Sequence, residues 1–260
     1  MPAFTLIFIL ALLLTTATRL WLAQRHLRHI QLNRDAVPDD FADRITLESH
    51  HKAADYSSSK TRLGMFHSLL DVALLLVFTL GGGIQILADY WQSILGDGLW
   101  RGVALIVSVL LISSLLEIPL SLYRTFVIDA RFGFNKMTFG LFLADLLKQT
   151  LLICALGIPL LLGVLWLMAK MGEYWWAYVW LAWMGFNLLV LTLYPTVIAP
   201  LFNKFTPLED QTLTMRIEAL LQKCGFKSNG LFVMDGSKRS SHGNAYFSGL
   251  GASKRIVFFD

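Results

Sequence analysis

Residues 149–169 read QTLLICALGIPLLLGVLWLMA, 21 consecutive positions without a charge. A helix rises 1.5 Å per residue, so about 20 apolar residues match the roughly 30 Å hydrocarbon core of a bilayer. Gly157, Pro159 and Gly163 do not demote the reading, because membrane helices tolerate both residue types. Four more apolar runs have a similar length, at 3–23, 63–88, 102–123 and 174–199, the first three interrupted by one charge each at Arg19, Asp71 and Glu117. Together they predict a mostly α, multi-pass membrane protein: five transmembrane helices over residues 1–200, then a small α+β piece over 201–260. Composition agrees. Hydrophobic residues make up 55% of the chain and charged ones 15%, where a soluble domain carries about a quarter charged. Eight Trp and seven Tyr suit a chain that crosses membrane interfaces repeatedly.

Positive charge sets the orientation. The loop 24–62 carries seven basic residues (Arg25, Arg28, Arg34, Arg44, Lys52, Lys60, Arg62) and the loop 124–148 carries four (Arg124, Arg131, Lys136, Lys148). The segment after Ala199 carries eight, while the two alternate loops hold only Arg101 and Lys170. This asymmetry predicts an N-terminus outside and a C-terminal tail in the cytoplasm, in the cell (inner) membrane. The first run has its basic residues after it rather than before it, the reverse of a cleaved signal peptide. A net charge of +4 placed in such loops points to membrane topology and not to nucleic acid. Cys154 lies in an apolar run and Cys224 in the tail assigned to the cytoplasm, so no disulfide is expected. No C-x-x-C or Cys/His cluster offers a thiolate zinc site.

In the first loop, Val37-Pro38-Asp39-Asp40 reads as a helix start, with proline in the first turn and acids at the positive end of the dipole. Phe41, Ile45, Ala53 and Tyr56 give that helix an apolar edge. His50 and His51 are adjacent and do not share a helix face, which argues for a solvated or packed pair over a metal site. In the tail, Thr206-Pro207-Leu208-Glu209 has the pattern of a capping box. Leu213, Ile217, Leu220, Leu221 and Cys224 then recur at helical spacing, and Gly225 is placed to end the helix. Strand-like runs follow at 231–234, 245–250 and 255–259, with turns at 236–243 and 251–254. The last strand is more apolar than one helix and a hairpin can bury, which leads us to expect an incomplete domain that continues.

Several blocks are recognisable. Leu201-Phe202-Asn203-Lys204-Phe205-Thr206-Pro207-Leu208 resembles the segment after the fifth span of type I CAAX prenyl proteases. The resemblance deepens at Gly236-Ser237-Lys238-Arg239-Ser240-Ser241-His242-Gly243-Asn244-Ala245-Tyr246-Phe247 and at Lys254-Arg255-Ile256-Val257. Tyr123-Arg124-Thr125-Phe126 and Arg131-Phe132-Gly133-Phe134-Asn135-Lys136-Met137-Thr138 are similar to the family's loop between the third and fourth spans. Val37-Pro38 and Lys52-Ala53-Ala54-Asp55-Tyr56 are similar to the first loop of bacterial members. The resemblance implies an integral-membrane zinc metalloprotease that cleaves prenylated CAAX tails or other membrane-associated peptides. It also implies a ring of membrane helices around a large chamber, with the zinc on the cytoplasmic side.

The zinc of that family is held by an H-E-x-x-H helix and a downstream glutamate, the motif's own glutamate acting as general base. None of the six histidines here (His26, His29, His50, His51, His67, His242) is followed by Glu. The expectation is therefore zinc in the full-length protein, no catalytic or metal-ligating residue in this chain, a missing C-terminal catalytic half, and no peptide hydrolysis by these 260 residues alone. By resemblance, Asn244 and Ala245 on an edge strand, continued by Tyr246 and Phe247, pair with substrate backbone by strand addition. An ordinary hairpin strand with a turn asparagine is the plainer alternative. Arg239 and His242 precede this strand, either contacting substrate and shaping the rim or lying in a solvated loop.

Acids in the apolar runs need partners or water. Asp71, Glu117, Asp129 and Asp145 are expected to line a chamber or to pair with Arg124, Arg131 or Lys148. A non-enzymatic peptide-binding membrane protein and a small proton-coupled transporter are the competing functions. An H-E-x-x-H segment beyond codon 260 would set both aside.

Overall fold

In the computed structural model, which describes residues 2–249 and 254–260, five helical stretches are long and apolar enough to cross a membrane. They are Ala3–Leu32, Leu47–Thr79, Leu99–Asp129, Phe139–Lys170 and Gly172–Phe202. The chain divides into two compact units, residues 1–133 and 134–260. Leu14, Trp21, Leu69, Leu115, Trp176 and Trp180 are exposed along these helices, as expected for side chains whose solvent is lipid.

The first unit holds α1 (Ala3–Leu32), α2 (Leu47–Thr79), α3 (Gly83–Leu95) and α4 (Leu99–Tyr123). Both flanks of the first loop are helical, so α1 and α2 extend well beyond the apolar runs at 3–23 and 63–88. The expected helix start at Val37–Asp40 is instead a single 3-10 turn, Asp39–Phe41. The true start is Thr46, whose Oγ1 accepts from the Ser49 N–H at 3.2 Å, with Glu48 in the first turn. A threonine cap outcompetes the Pro-Asp-Asp pattern because it satisfies an orphan amide directly. Arg34 then clamps the two helices, its Nε and Nη2 donating to Asp55 at 3.0 and 2.9 Å.

The run at 63–88 is not one helix. The chain breaks after Thr79, Gly82 takes φ +77°, and α3 begins at Gly83. A Cβ on Gly81 would stand 2.8 Å from the Val77 carbonyl oxygen, so the triplet lets the backbone fold back on its own last turn. At the far end of α4 the helix widens into a π-helical turn, Arg124–Asp129, which buries Ile128. The Tyr56 hydroxyl donates to Asp129 at 2.9 Å and its ring meets the buried Phe132 edge-on at 5.3 Å.

The second unit starts with α5 (Phe139–Lys170), capped by Thr138, whose Oγ1 accepts from the Leu141 N–H at 3.2 Å. Then come α6 (Trp175–Leu193), a π-helical turn Tyr194–Ile198 and α7 (Ala199–Phe202). The remainder forms β1 (Phe205–Pro207), α8 (Gln211–Lys223), β2 (Leu231–Met234), β3 (Ala245–Ser248) and β4 (Arg255–Phe259). The sheet order is β1-β2-β4-β3, with β2 and β4 parallel and the outer pairs antiparallel. Leu231, Met234 and Val257 are its buried residues.

The capping box expected at Thr206–Glu209 does not form. Thr206 and Pro207 lie in β1, opposite Val233 and Phe232, and Asp210 caps α8 by accepting from the Leu213 N–H at 2.9 Å. The ladder with β2 claims the residues that local pattern assigned to a helix, and Pro207 suits the edge position because it has no amide to pair. Gly225 ends α8 as expected, with Gly225 and Phe226 donating back to Gln222 and Leu221. Leu250 and most of the turn 251–254 lie outside the described residues.

Replacing Gly81 by Ala should lower thermal stability by about 1–3 kcal/mol, because the new methyl meets backbone rather than a movable side chain. A melting curve of the purified variant in detergent checks this, and an unchanged midpoint would contradict the tight fold-back.

Candidate functional site: an open strand edge and its clasp

Among the described residues β3 is an edge strand, with β4 on one side only. Its register pairs Ala245 with Phe258, Tyr246 with Val257, Phe247 with Ile256 and Ser248 with Arg255. The Phe259 amide donates to the Asn244 carbonyl at 2.9 Å. Hydrogen-bonded and non-bonded pairs alternate along an antiparallel ladder, so Asn244, Tyr246 and Ser248 direct their main-chain groups at β4. Ala245 and Phe247 direct theirs at the open edge. Tyr246 is therefore not an edge contact. Its ring packs against Phe259 at 6.2 Å, its hydroxyl lies 3.9 Å from Met234 Sδ, and burial pushes its phenol up.

Asn244 sits over the open edge. Its Oδ1 accepts from the Ala245 N–H at 2.8 Å, occupying one of the outward donors. Phe247 is exposed and leans on Phe226, with ring centroids 5.5 Å apart. The opposite edge of the sheet, β1, is three residues long and contains Pro207, which makes it a poor template for strand addition. β3 is the edge with groups to offer.

The segment before β3 is held by a clasp. Arg239 donates through Nε and Nη2 to the two oxygens of Asp145 at 2.6 and 2.9 Å, through Nη2 to the Phe202 carbonyl at 2.8 Å, and through Nη1 to Asn203 Oδ1. Arg239 and Asp145 are both largely buried, with side chains 19% and 17% exposed. Lys238 Nζ donates to the same Phe202 carbonyl at 2.9 Å and to Asp235 at 2.8 Å. Lys148 Nζ donates to the neighbouring Leu201 carbonyl at 3.0 Å. Backbone bonds finish the anchorage: Lys136 N–H to Arg239 O and Ser241 N–H to Phe134 O, both at 3.1 Å. His242 stacks on Phe134 at 4.1 Å. Asp260 accepts from the Ser237 amide and hydroxyl, each at 2.8 Å, and these bonds hold its carboxyl below the ordinary carboxylate range.

Four guanidinium bonds within the chain tie Arg239 to Asp145, Phe202 and Asn203. The expected partners of the acids need correction: Asp145 pairs with Arg239, Asp129 accepts from Tyr56, and Lys148 serves a carbonyl. Asp71 and Glu117 converge on His67, whose ring nitrogens lie 3.1 and 3.7 Å from them. The Asp145–Arg239 pair spans 94 residues, and no local periodicity signals such a contact.

Among the described residues, His67, Asp71 and Glu117 are the one group of three that could hold a metal ion, with ligand atoms within 4.8 Å of one another. They lie in the spans of the first unit and lack a second histidine on the same helix face. His242 has an aromatic neighbour. Among the described residues, this group therefore differs from a two-histidine protease zinc centre.

The family described as "CAAX prenyl protease N-terminal, five membrane helices" matches residues 26–204, and "Peptidase family M48" matches residues 207–260. A CAAX prenyl protease 1 homolog of Caenorhabditis elegans is 36% identical over 253 residues, covering 96% of this chain and 56% of the relative. CAAX prenyl protease 1 of Saccharomyces cerevisiae is 36% identical, covering 88% and 53%. The human homolog is 34% identical, covering 100% and 57%. The crystal structure of S. mikatae Ste24p superposes with a TM-score of 0.87 at 33% identity, over 96% of this chain and 59% of that one. The chain thus spans a little over half the length of the relatives it matches.

Replacing Asp145 by Ala should destabilise the second unit by roughly 2–4 kcal/mol, since it strands a largely buried guanidinium. Hydrogen exchange should rise across residues 235–244. Arg239→Lys keeps the charge but loses the fork, and a double-mutant cycle should return a coupling above about 1 kcal/mol.

Proposed function

The chain belongs to the CAAX prenyl protease family of M48 peptidases, and we propose that it forms the membrane and substrate-docking portion of a zinc metalloendopeptidase. The substrates are CAAX-type prenylated C-termini or other membrane-associated peptides. Zinc is the cofactor of the whole protein, with its ligand set outside the residues of this chain. The observation that carries the reading is the open edge of β3. An extended peptide laid along it would meet the Ala245 carbonyl and both main-chain groups of Phe247. The small Ala245 side chain lets a second backbone approach.

Asn244 takes a switching part in this docking. Its Oδ1 satisfies the Ala245 N–H while the edge is empty, and an arriving peptide carbonyl replaces it. The freed carboxamide, both donor and acceptor, then holds the peptide. Arg239 and the loop through His242 fix where β3 begins, so the edge is presented rigidly. The basic loops and tail lie on the cytoplasmic side by their charge, where prenylated C-termini are presented.

Phe247→Pro removes an outward amide and no ladder bond. In the whole protein it should raise KM for a farnesylated CAAX peptide about 3- to 10-fold, the worth of one hydrogen bond, with kcat within about twofold. An unchanged KM would sink the edge-docking reading. Ser248→Pro breaks the β3–β4 ladder and should instead cost stability. For orientation, a cysteine at Gly98→Cys should react with an impermeant maleimide added outside intact cells, and one at Ser57→Cys should not. The opposite pattern would invert the topology.

A further inference from the structure

Within the first unit, a cavity of about 490 Å³ opens between α2 and the π-helical end of α4. Its walls include Leu63, Phe66, Leu120 and Val127, and two guanidiniums, Arg62 and Arg131, line it as well. The volume falls in the range of small-ligand sites. Phe66 and Val127 are exposed, so the apolar part is reachable from the side of the helices.

Among the described residues the two arginines lack the carboxylate partners such charges usually have, and neither forms an ion pair. Arg131 lies over the Phe132 ring at 5.8 Å and feels Asp55, whose oxygens are already taken by Arg34 at 3.0 and 2.9 Å. The order along the chain also matters. Arg62 immediately precedes the apolar run of α2, and Arg131 follows the last turn of the α4 span. Both charges therefore stand at headgroup depth, with Leu63 adjacent to Arg62 and Phe66 one turn deeper on one side, and Leu120 and Val127 deeper on the other. Paired cations above an apolar slot between membrane helices are complementary to a phosphate that carries acyl chains.

We propose that this cavity holds an anionic phospholipid of the surrounding leaflet, its phosphate between Arg62 and Arg131 and one acyl chain against Leu63, Phe66, Leu120 and Val127. The lipid wedges α2 against the end of α4, beside the Tyr56–Asp129 bond. It supplies a negative partner that no ion pair among the described residues gives these two arginines. The site uses none of the β3 edge and stands or falls separately from peptide docking.

The test uses the purified protein, delipidated in neutral detergent and titrated with dioleoyl phosphatidylglycerol, dioleoyl phosphatidylcholine or inorganic phosphate. Native mass spectrometry reads bound lipid and a melting curve reads stabilisation. We expect one tightly retained phosphatidylglycerol, a raised melting midpoint, and no equivalent effect of phosphatidylcholine. Arg62→Gln and Arg131→Gln should each weaken retention about fivefold, from the usual worth of one basic residue near an anionic headgroup. Arg28→Gln with Arg44→Gln, which removes two positive charges elsewhere, should leave it unchanged. These single variants keep the test decisive if the Arg62/Arg131 double variant is not recovered. Equal retention of phosphatidylcholine, equal loss in the Arg28/Arg44 control, or full stabilisation by inorganic phosphate alone would each overturn the proposal. So would a farnesylated peptide that binds through Arg62 and Arg131 where phosphatidylglycerol does not.

Discussion

A helix leaving a membrane ends in carbonyls that its own turns cannot satisfy, and the second unit is organised around meeting that demand at the end of its last span. The Leu201 carbonyl takes Lys148, and the Phe202 carbonyl takes Lys238 and Arg239. Three cations at the negative end of the helix dipole are electrostatically favoured as well as hydrogen-bonded. Two of them come from one short loop, so capping the helix also pins the loop. β1 starts three residues after Phe202, and β3 starts six residues after Arg239. The sheet is hung from the membrane helix through this set of bonds, with Arg255 of β4 adding one to the Pro195 carbonyl at 3.5 Å.

The spans obey the same accounting of polar groups. Serine and threonine hydroxyls bond back to the preceding turn, as Thr16 does to Leu12 and Thr192 to Leu188. The acids find partners within their own unit: Asp71 and Glu117 share His67, and Asp129 takes the Tyr56 hydroxyl. A carboxylate in an apolar run is costly unless it faces water or is paired. The pairings seen here join α2 to α4, so groups that lower the hydrophobicity of single helices contribute to holding two together.

Much of this was legible in the sequence, and the boundary is physical. Five long apolar runs are strong signals because bilayer thickness fixes their length, and the helix at 149–169 is found inside α5. Gly225 and the strands at 231–234 and 255–259 carried their own local chemistry and formed as expected. Local chemistry also misled. Pro38 and Thr206-Pro207 look like helix starts, yet Thr46 and Asp210 make the caps, because a side-chain acceptor and a strand partner outweigh a favourable φ. The Gly81–Gly83 triplet sat in a run apolar enough to read as one span. On the site, the edge position of β3 depends on a parallel pairing of β2 with β4 that no periodicity encodes. The Arg239–Asp145 clasp depends on two residues 94 positions apart. Resemblance singled out Asn244 and Ala245 together with Tyr246 and Phe247. Only the register separates the residues that face outward from those that do not.

An unpaired strand edge is a liability as well as an opportunity, because it is a template for any other unpaired edge. Molecules confined to a bilayer share two dimensions and often one orientation, so like edges on the same side meet frequently. The Asn244 carboxamide over the Ala245 amide breaks the regular row of donors that a second copy would need, and the short, proline-containing β1 offers little in return. The same carboxamide thus guards the protein against pairing with itself.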